Sequence, residues 1–269
     1  MPSRIPDMLA NYCDSPHPHL ARPATIAPMG TVSKEILEQL IEFDTALLAN
    51  TIGMIDSTPV HEWYMGSSIQ TVTPGLGPTV GVAYTCELDS STPGGTASLE
   101  DYWQVVEQME NDDRPAVLVV QTVGSRPDHE CVIGDGMGKM LAAVGCKGLV
   151  TNGGVRDVPG LMTIPFAAYC TGRTIHHGVL RFRAANQPVQ VGGITVRHGD
   201  IVHADGGGVI SIPSSCVREL PKEAVRMLAF EREAHLLLRR SDMRPAAKRA
   251  GVQELLASYG FKQVPHTDR

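Results

Sequence analysis

Apolar residues recur at intervals of three and four in several stretches of the chain, which predicts amphipathic helices. The first stretch, 33–53, begins at Ser33, a residue type that favours helix N-caps. A second predicted helix carries the polar run SLEDYWQVVEQMENDD, and a third, longer one spans 217–243. Five apolar positions are predicted on this last helix: Leu220, Val225, Leu228, Leu236 and Leu237.

Short β-prone runs alternate with these helices. The segments 79–88 and 115–123 and the run KGLVTNG predict buried strands. The segment 187–213 is broken by Gly-Gly, His-Gly-Asp and a triple glycine, which predicts hairpins or a small barrel-like β layer. We therefore expect an α/β fold with α/β/β layering. The predicted domain spans 33–243, between an N-terminal extension at 1–32 and a C-terminal extension at 244–269.

Composition narrows the class of protein. The 269 residues include 27 glycines and 19 prolines, yet 42% are hydrophobic, which is ordinary for a globular chain. The net charge of −6 and the absence of a long basic run argue against binding to nucleic acid or to an anionic membrane surface. Small anionic ligands remain compatible with arginines gathered locally.

Cysteine usage and the first residues bear on location. The six cysteines contain no CxxC pair and no zinc-ligand spacing, so we expect reduced thiols. The segment 1–20 lacks the apolar stretch of a signal peptide, and no window is long and apolar enough to span a membrane. These features predict a cytoplasmic protein.

The helix predicted from Gly134 to Gly145 opens with Gly134, Asp135 and Gly136. Its predicted apolar face consists of Met137, Met140, Leu141 and Val144. Free backbone N–H groups and the positive end of the helix dipole at this start suit a carboxylate or phosphate. Alternatively, Asp135 caps the helix, and the two roles are compatible.

The dipeptide Arg156-Asp157 follows the run KGLVTNG, twenty residues after Asp135. An arginine fork binds a carboxylate or enolate, and an adjacent aspartate is a hard oxygen ligand for a divalent cation. A surface ion pair is the alternative for such a dipeptide. The glycines match neither a dinucleotide fingerprint nor a Walker motif. His176 and His177 either line the pocket or lie in a surface turn. The sequence favours the turn, since no third metal ligand is spaced to them.

The spacing of Asp135 and Arg156-Asp157 resembles the signature of the 4-hydroxy-4-methyl-2-oxoglutarate aldolase family. These class II pyruvate aldolases share a fold with the regulators of ribonuclease E activity. The resemblance covers about Ser33 to Ser241 and includes FDTALLANTIG, GDGMGKMLAAVGCKGLVTNGGVRD and HGDIVHADGGGVISIP. It implies an α/β/β sandwich like the swivelling phosphohistidine domain, assembled as trimers or hexamers with sites between subunits.

Carried over by position, the resemblance gives Gly134, Asp135, Gly136 and Met137 a role in substrate binding through the segment's backbone amides. It implies that Arg156 binds the keto acid, with Arg156 and Asp135 as the catalytic pair, and that Asp157 ligates Mg²⁺ or Mn²⁺. A glutamate from a neighbour's last helix, matching Glu233 or Glu231, would approach the metal waters. Two departures stand out: Asn50 replaces a frequent aspartate, and Gly207 replaces a frequent acidic residue.

The chemistry implied is that of a metal-dependent lyase. Cleavage next to a metal-chelated 2-oxo acid builds an enolate that a cation and Arg156 stabilise. The expected substrate is a 4-hydroxy-2-oxo (di)carboxylic acid, with oxaloacetate decarboxylation as a side or main activity. A Schiff-base route is disfavoured because Lys139 and Lys147, the lysines nearest the motif, show no burial signal. The alternative is a non-catalytic regulator that binds a ribonuclease or helicase; a methyltransferase role is set aside because no glycine-rich cofactor loop is present.

Overall fold

The computed structural model describes residues 32–261, so Cys13 and nearly all of the predicted extension 1–32 lie outside the described residues. The helices are α1 (Lys34–Leu40), α2 (Thr45–Ile55), α3 (Glu100–Glu110), α4 (Asp135–Ala143), α5 (Val158–Leu161), α6 (Leu220–Arg239) and α7 (Pro245–Ser258). The strands are β1 (Gln70–Thr71), β2 (Thr79–Asp89), β3 (Ala116–Thr122), β4 (Cys131–Ile133), β5 (Cys146–Thr151), β6 (Gly154–Val155), β7 (Ala167–Cys170), β8 (Gly172–Arg173), β9 (Arg181–Arg183), β10 (Val189–Val191), β11 (Ile194–Val196), β12 (Ile201–Asp205) and β13 (Gly208–Ile212).

The main sheet has eight strands, seven of which follow the order β1-β7-β5-β3-β2-β12-β13, while β9 pairs with the end of β2. Its centre, β2-β3-β5-β7, is parallel, and β1, β12 and β13 join antiparallel. The central strands are almost entirely buried, as expected for parallel strands covered on both faces. The strands predicted at 79–88 and 115–123 and in KGLVTNG are confirmed.

A second, short sheet has the order β4-β6-β8 and is parallel throughout. Its strands continue the chain from the main sheet, because β4 follows β3, β6 follows β5 and β8 follows β7. Three strands of two or three residues each therefore end side by side at one edge. The sequence did not predict this sheet, since runs this short carry no periodicity.

The two faces of the main sheet are covered differently. Helices cover one face, where residues such as Leu48, Val105 and Leu141 form the larger core cluster. The hairpin β10-β11 covers the other, where its apolar side chains pack with Val117 and Val119 of β3. The α/β/β layering and the hairpins are thus confirmed, although β12-β13 extends the main sheet rather than a separate layer. The likeness to a phosphohistidine domain stays a prediction.

The predicted helix at 33–53 is interrupted and forms α1 and α2. Asp44 starts the second helix, because its side chain accepts a hydrogen bond from the Leu47 amide at 2.7 Å. Asp205 accepts another from the Thr45 amide at 2.8 Å. His203 fixes the same corner, with its Nδ1 3.0 Å from the Thr45 hydroxyl, and burial lowers the pKa of His203 to about 4. Long-range contacts to β12 therefore set this break.

The long C-terminal helix is confirmed as α6, but part of its predicted apolar face was wrong. Val225 and Leu236 are exposed, whereas Ala224, Met227 and Ala234 are buried. The predicted extension at 244–269 includes α7, which packs against α6 within the same compact unit. No helix among residues 32–261 has the length and apolar character needed to cross a membrane.

Candidate active site

The residues of the sequence motif lie together at the carboxyl edge of the short sheet. Gly134 and Asp135 directly follow β4, and Arg156 and Asp157 directly follow the neighbouring parallel strand β6. The Arg156 amide donates to the Ile133 carbonyl at 3.1 Å, which holds the two strand ends together. The twenty residues between Asp135 and Arg156 form α4, β5 and their connections. This length brings the chain back to β6, the strand beside β4.

Two glycines allow the charged side chains to converge. A Cβ atom at Gly134 would lie 2.9 Å from both Arg156 Nε and Asp157 Oδ2. A Cβ atom at Gly160 would lie 2.7 Å from Asp135 Cβ and Oδ2. Both separations are shorter than real Cβ contacts, so these positions exclude any larger residue unless the site moves. The backbone at 134 and 160 forms the walls against which Asp135, Arg156 and Asp157 lie.

Asp157 has the left-handed backbone conformation, with φ at 53°. It is the N-cap residue of α5, and Pro159 lies in the first turn of that helix. For a residue other than glycine this conformation costs on the order of 1 kcal/mol. Its side chain is 47% exposed. Strain at a half-exposed carboxylate is typical of a functional position rather than of a packing position.

The guanidinium of Arg156 lies next to Asp157, with Nε 3.3 Å from Oδ2. That separation gives charge attraction, but the direction of the N–H does not make a hydrogen bond, and Nε is buried without an acceptor among the described residues. A buried donor without a partner is costly. Arg156 is therefore prepared to donate to an acceptor supplied by a ligand.

Asp135 does not cap α4, because Gly134 is the N-cap residue. Instead its Oδ2 accepts from Lys139 Nζ at 2.6 Å, one turn further along the helix. The Lys139 ammonium lowers the pKa of the Asp135 carboxyl, and Arg156 adds to the effect. Asp135 is thus held in the ionised form beside the guanidinium of Arg156.

The predicted substrate-binding segment is the first turn of α4. The first amides of a helix have no intrahelical acceptor, so this turn presents N–H groups at the strand edge. Gly136 is exposed, and a Cβ atom there would meet nothing within 4 Å. Met137 packs partly buried against the main core. The predicted apolar face holds at Leu141 but not at Met140, which is 41% exposed.

Thr174, which the sequence analysis missed, follows the third strand of the short sheet. Its amide donates to the Val155 carbonyl at 3.0 Å, and its Oγ1 is buried without a partner among residues 32–261. A Cβ atom at Gly154 would lie 2.8 Å from that oxygen. The thiol of Cys131 has its pKa raised by burial, while Arg156 opposes the shift. Only the pairing of β8 with β6 reveals this neighbourhood.

His176 and His177 form a local turn after β8. Their rings stack with centroids 5.2 Å apart. The Gly178 amide donates to His176 Nδ1 at 2.9 Å, and His177 Nδ1 lies 2.7 Å from the Gly178 carbonyl oxygen. These contacts match the turn role and give no support to a role in the pocket.

The described residues contain no cluster of three His, Cys, Asp or Glu side chains suited to a metal ion. Asp157 and Asp135 are the carboxylates at the strand edge. A cavity of about 300 Å³ lies elsewhere, among α1 and the loops before β3 and β5, and is lined partly by Lys34, Arg114 and Lys147. The candidate site residues do not line it, so this chain does not enclose them in that cavity.

The two candidate glutamates of α6 contact residues of their own chain. Glu231 Oε1 accepts from Asn50 Nδ2 at 2.9 Å, which gives the departure at Asn50 a physical reason: a carboxylate there would repel Glu231. Glu233 Oε1 accepts from the Tyr259 hydroxyl of α7 at 2.6 Å. Within one chain, Glu231 thus contacts α2 and Glu233 contacts the end of α7. The approach of either glutamate to the site of a neighbouring subunit stays a prediction.

Residues 52–211, which are 160 of the 269 residues, match the protein family described as RraA-like, Aldolase/RraA. The chain belongs to the RraA-like family. This match includes the whole of the short sheet and the candidate site.

Several RraA-like relatives are similar in sequence. A Pseudomonas syringae protein, whose name proposes a 4-hydroxy-4-methyl-2-oxoglutarate aldolase, is 38% identical over 119 residues, or 43% of this chain and 70% of that protein. An Alcanivorax borkumensis protein with the same name is 30% identical over 44% of this chain and 73% of its own length. Protein DlpA of Legionella pneumophila is 25% identical over 73% of this chain, which spans only 30% of that longer relative.

Solved structures confirm the fold. RraAS2 of Streptomyces coelicolor, described as an unusual member of the RNase ES inhibitor RraA family, superposes with a TM-score of 0.62 at 23% identity. The match covers 77% of this chain and 99% of RraAS2. An uncharacterized Pseudomonas syringae protein gives a TM-score of 0.61 at 22% identity, over 81% of this chain and 98% of that protein.

Proposed function

We propose that this RraA-like chain is a divalent-metal-dependent lyase that cleaves a 4-hydroxy-2-oxo (di)carboxylic acid to pyruvate by retro-aldol chemistry. Oxaloacetate decarboxylation is a related activity. The observation that carries the proposal is the convergence of Asp135, Arg156 and Asp157 around Gly134, with a buried Arg156 donor that lacks an acceptor. The aldolase names of the Pseudomonas and Alcanivorax relatives support the same class of reaction.

The donor set at the strand edge fits Mg²⁺ or Mn²⁺ in its chemistry. These hard cations prefer oxygen, and Mg²⁺ is commonly held by one or two carboxylates while water and substrate oxygens supply the rest. Asp157 would be the ligand, because its carboxylate is half exposed and is not committed to a hydrogen bond among the described residues. When bound, the cation polarises the 2-oxo group of the substrate.

Arg156 binds the carboxylate of the 2-oxo acid in this proposal. Its unsatisfied Nε donor and the first turn of α4 lie at the same strand edge, so a carboxylate there receives donors from both. The guanidinium also stabilises negative charge that develops on the substrate during cleavage. Its planar fork is suited to a carboxylate in a way that a lysine ammonium is not.

Asp135 is the candidate for moving the proton. In retro-aldol cleavage the C4 hydroxyl loses its proton to a base, the C3–C4 bond breaks, and its electron pair remains on C3 as the enolate of pyruvate. A proton then returns to C3. Asp135 lies beside Arg156 at the strand edge, and Lys139 and Arg156 lower the pKa of its carboxyl, which keeps it ionised but also makes it a weaker base, so its candidacy depends on its position. Loss of CO₂ from oxaloacetate leaves the same enolate, so one site can perform both reactions.

In a single chain the charged side chains of the candidate site are partly exposed to solvent. The side chains of Asp135 and Arg156 are 35% and 34% exposed, whereas catalysis through charge is strongest where water is excluded. We therefore include in the proposal a homo-oligomer, a trimer or hexamer, in which a neighbouring α6 covers the strand edge. Glu231 or Glu233 would then take part in proton movement, after leaving its partner in its own chain.

The test is a panel of 2-oxo acids assayed for pyruvate with Mg²⁺, with Mn²⁺ and with a chelator. We expect turnover of 4-hydroxy-2-oxo acids that the chelator abolishes and added metal restores. Turnover that survives complete chelation would remove the metal from the proposal. No turnover of any 2-oxo acid by correctly folded protein would overturn it.

The second candidate is a non-catalytic regulator that binds a ribonuclease or helicase. The family description and the fold shared with RraAS2 favour it. It predicts a stable complex with such a partner, unaffected by substitution of Arg156, together with no turnover in the substrate panel. The two candidates thus give opposite results in the same pair of measurements.

A further inference from the structure

The candidate site contains a second cation besides Arg156. Arg156 accounts for the carboxylate next to the 2-oxo group, but Lys139 lies one helical turn from the site's first residues and contacts Asp135 directly. We propose that Lys139 is a specificity-determining residue that receives the distal carboxylate of a dicarboxylic substrate. This inference rests on the proposed lyase function and assigns a residue of this chain to its substrate specificity.

The geometry of α4 gives Lys139 the reach that this role needs. Residues four apart lie on the same helix face, separated by about 6 Å along the axis. Gly136 in the first turn is exposed, and a Cβ atom there would meet nothing within 4 Å, whereas Gly138 is buried against Leu161 of α5. The surface of the first turn at Gly136 is therefore open to a ligand.

Not all N–H donors of the Lys139 ammonium group are used within the described residues. An ammonium group has three N–H donors, and among the described residues Lys139 uses one, toward Asp135 Oδ2. Its side chain is 52% exposed, so the remaining donors face accessible space. A substrate carboxylate can bind Lys139 without displacing Asp135.

The experiment compares two substrates that differ only at the distal end. Cleavage of 4-hydroxy-2-oxopentanedioate gives pyruvate and glyoxylate, and cleavage of 4-hydroxy-2-oxopentanoate gives pyruvate and acetaldehyde. Wild-type protein should favour the dicarboxylate in kcat/KM by about tenfold or more, as expected for one charge-assisted hydrogen bond. Lys139→Met should reduce this preference to about twofold or less, mainly by raising KM, and Lys139→Arg should retain most of it.

The ratio between substrates isolates the effect on the distal carboxylate. Loss of the Lys139 contact also changes Asp135, but that change acts on both substrates alike and cancels in the ratio. Lys222→Met on α6 removes an exposed lysine outside the site and serves as the matched control. An unchanged substrate ratio in Lys139→Met would overturn the inference while leaving the lyase function intact.

A binding measurement separates failure of this inference from failure of the proposed function. Calorimetry with the full chain and Mg²⁺ compares 2-oxoglutarate with 2-oxopentanoate, neither of which carries the hydroxyl needed for cleavage. Wild type should bind the dicarboxylate about tenfold more tightly, and Lys139→Met should lose that difference. If neither hydroxy acid is cleaved but this difference holds, the lyase proposal fails and the carboxylate site stands; equal binding of the two acids by wild type rejects the site.

Discussion

The main sheet and the short sheet are built from the same consecutive stretches of chain, and the strands β4 and β6 are as buried as β3, but the residues that follow the short strands are of a different kind. In β3 of the main sheet, six of the seven residues are buried, and Leu118 is 1% exposed. The strand β6 has only two residues and leads directly to Asp157, which is half exposed and has a positive φ. The first sheet gains its stability from apolar burial. The short sheet shares that core through Val132, Ile133 and Val155, but the turns after β4 and β6 hold charged groups at its edge, in positions that burial alone would not favour.

Stability and candidate chemistry therefore lie in different parts of the fold. Apolar packing of β2, β3, β5 and β7 fixes the directions in which the chain leaves the main sheet. The short strands then bring Asp135 and Asp157 to a common edge, where a strained backbone and an unsatisfied donor are tolerated because the larger core offsets their cost. Substitutions in the two sheets should therefore change different measurable quantities.

The largest expected effect is on activity, from Asp157→Asn. Asparagine tolerates the left-handed conformation and is nearly isosteric, so the free energy of unfolding should change by less than about 1 kcal/mol. Loss of the metal-binding charge should lower pyruvate formation on the order of a thousandfold and weaken Mg²⁺ binding. Steady-state assays, metal titration and thermal unfolding check these outcomes. Full activity and metal affinity in this variant would show that Asp157 is not the ligand.

Leu118→Ala in β3 should lower stability rather than activity. Removal of a fully buried leucine should lower the free energy of unfolding by about 2–5 kcal/mol, because it leaves a cavity in the core. The protein that remains folded should keep kcat/KM within about threefold of wild type, because Leu118 lies in the buried centre of the main sheet and is not one of the charged residues at the strand edge. Denaturant unfolding and assays below the transition measure the two quantities. A large loss of kcat/KM without loss of stability would contradict the separation of roles.

Gly134→Ala should lower activity by about thirtyfold, or about 2 kcal/mol of activation free energy, because its Cβ would displace Arg156 and Asp157. Gly53→Ala in α2 is the matched control, since a Cβ there meets nothing within 4 Å. The control should keep its activity and gain up to about 1 kcal/mol of stability from helix propensity. Equal activity in the two variants would mean that close approach at Gly134 does not position the charges.

The smallest expected effect on activity tests whether α6 of a neighbouring subunit covers the edge of the short sheet. A mixture of Asp157→Asn protein with protein carrying alanine at both Glu231 and Glu233 should regain about a quarter of wild-type activity after random subunit exchange, since that fraction of interfaces has both intact halves. Each variant alone should be nearly inactive. No recovery, with exchange verified by mass spectrometry of mixed oligomers, would count against a site completed by a neighbour's α6.

Three central strands of the main sheet, β2, β3 and β5, could be predicted from the sequence because they are apolar runs bounded by turn residues, whereas the shorter β1, β7 and β9 could not. The candidate charges were also predictable, since Asp135, Arg156 and Asp157 form a motif with fixed spacing. The short sheet was not predictable, because two-residue strands such as β6 carry no period, and Thr174, which follows β8, comes close to Gly154 only through the pairing of β8 with β6. The break before Asp44 and the exposure of Val225 were also missed, because contacts with β12 and the packing of α6 decide them.

The role of Arg156 is tested by pyruvate formation in Arg156→Lys, measured with a 4-hydroxy-2-oxo acid and saturating Mg²⁺. We expect kcat/KM to fall about a hundredfold while the unfolding transition stays unchanged, because lysine keeps the charge but loses the planar fork. Arg197→Lys, an exposed arginine between β11 and β12, should behave as wild type. Wild-type kcat/KM in Arg156→Lys would contradict the claim that this strand edge is the active site.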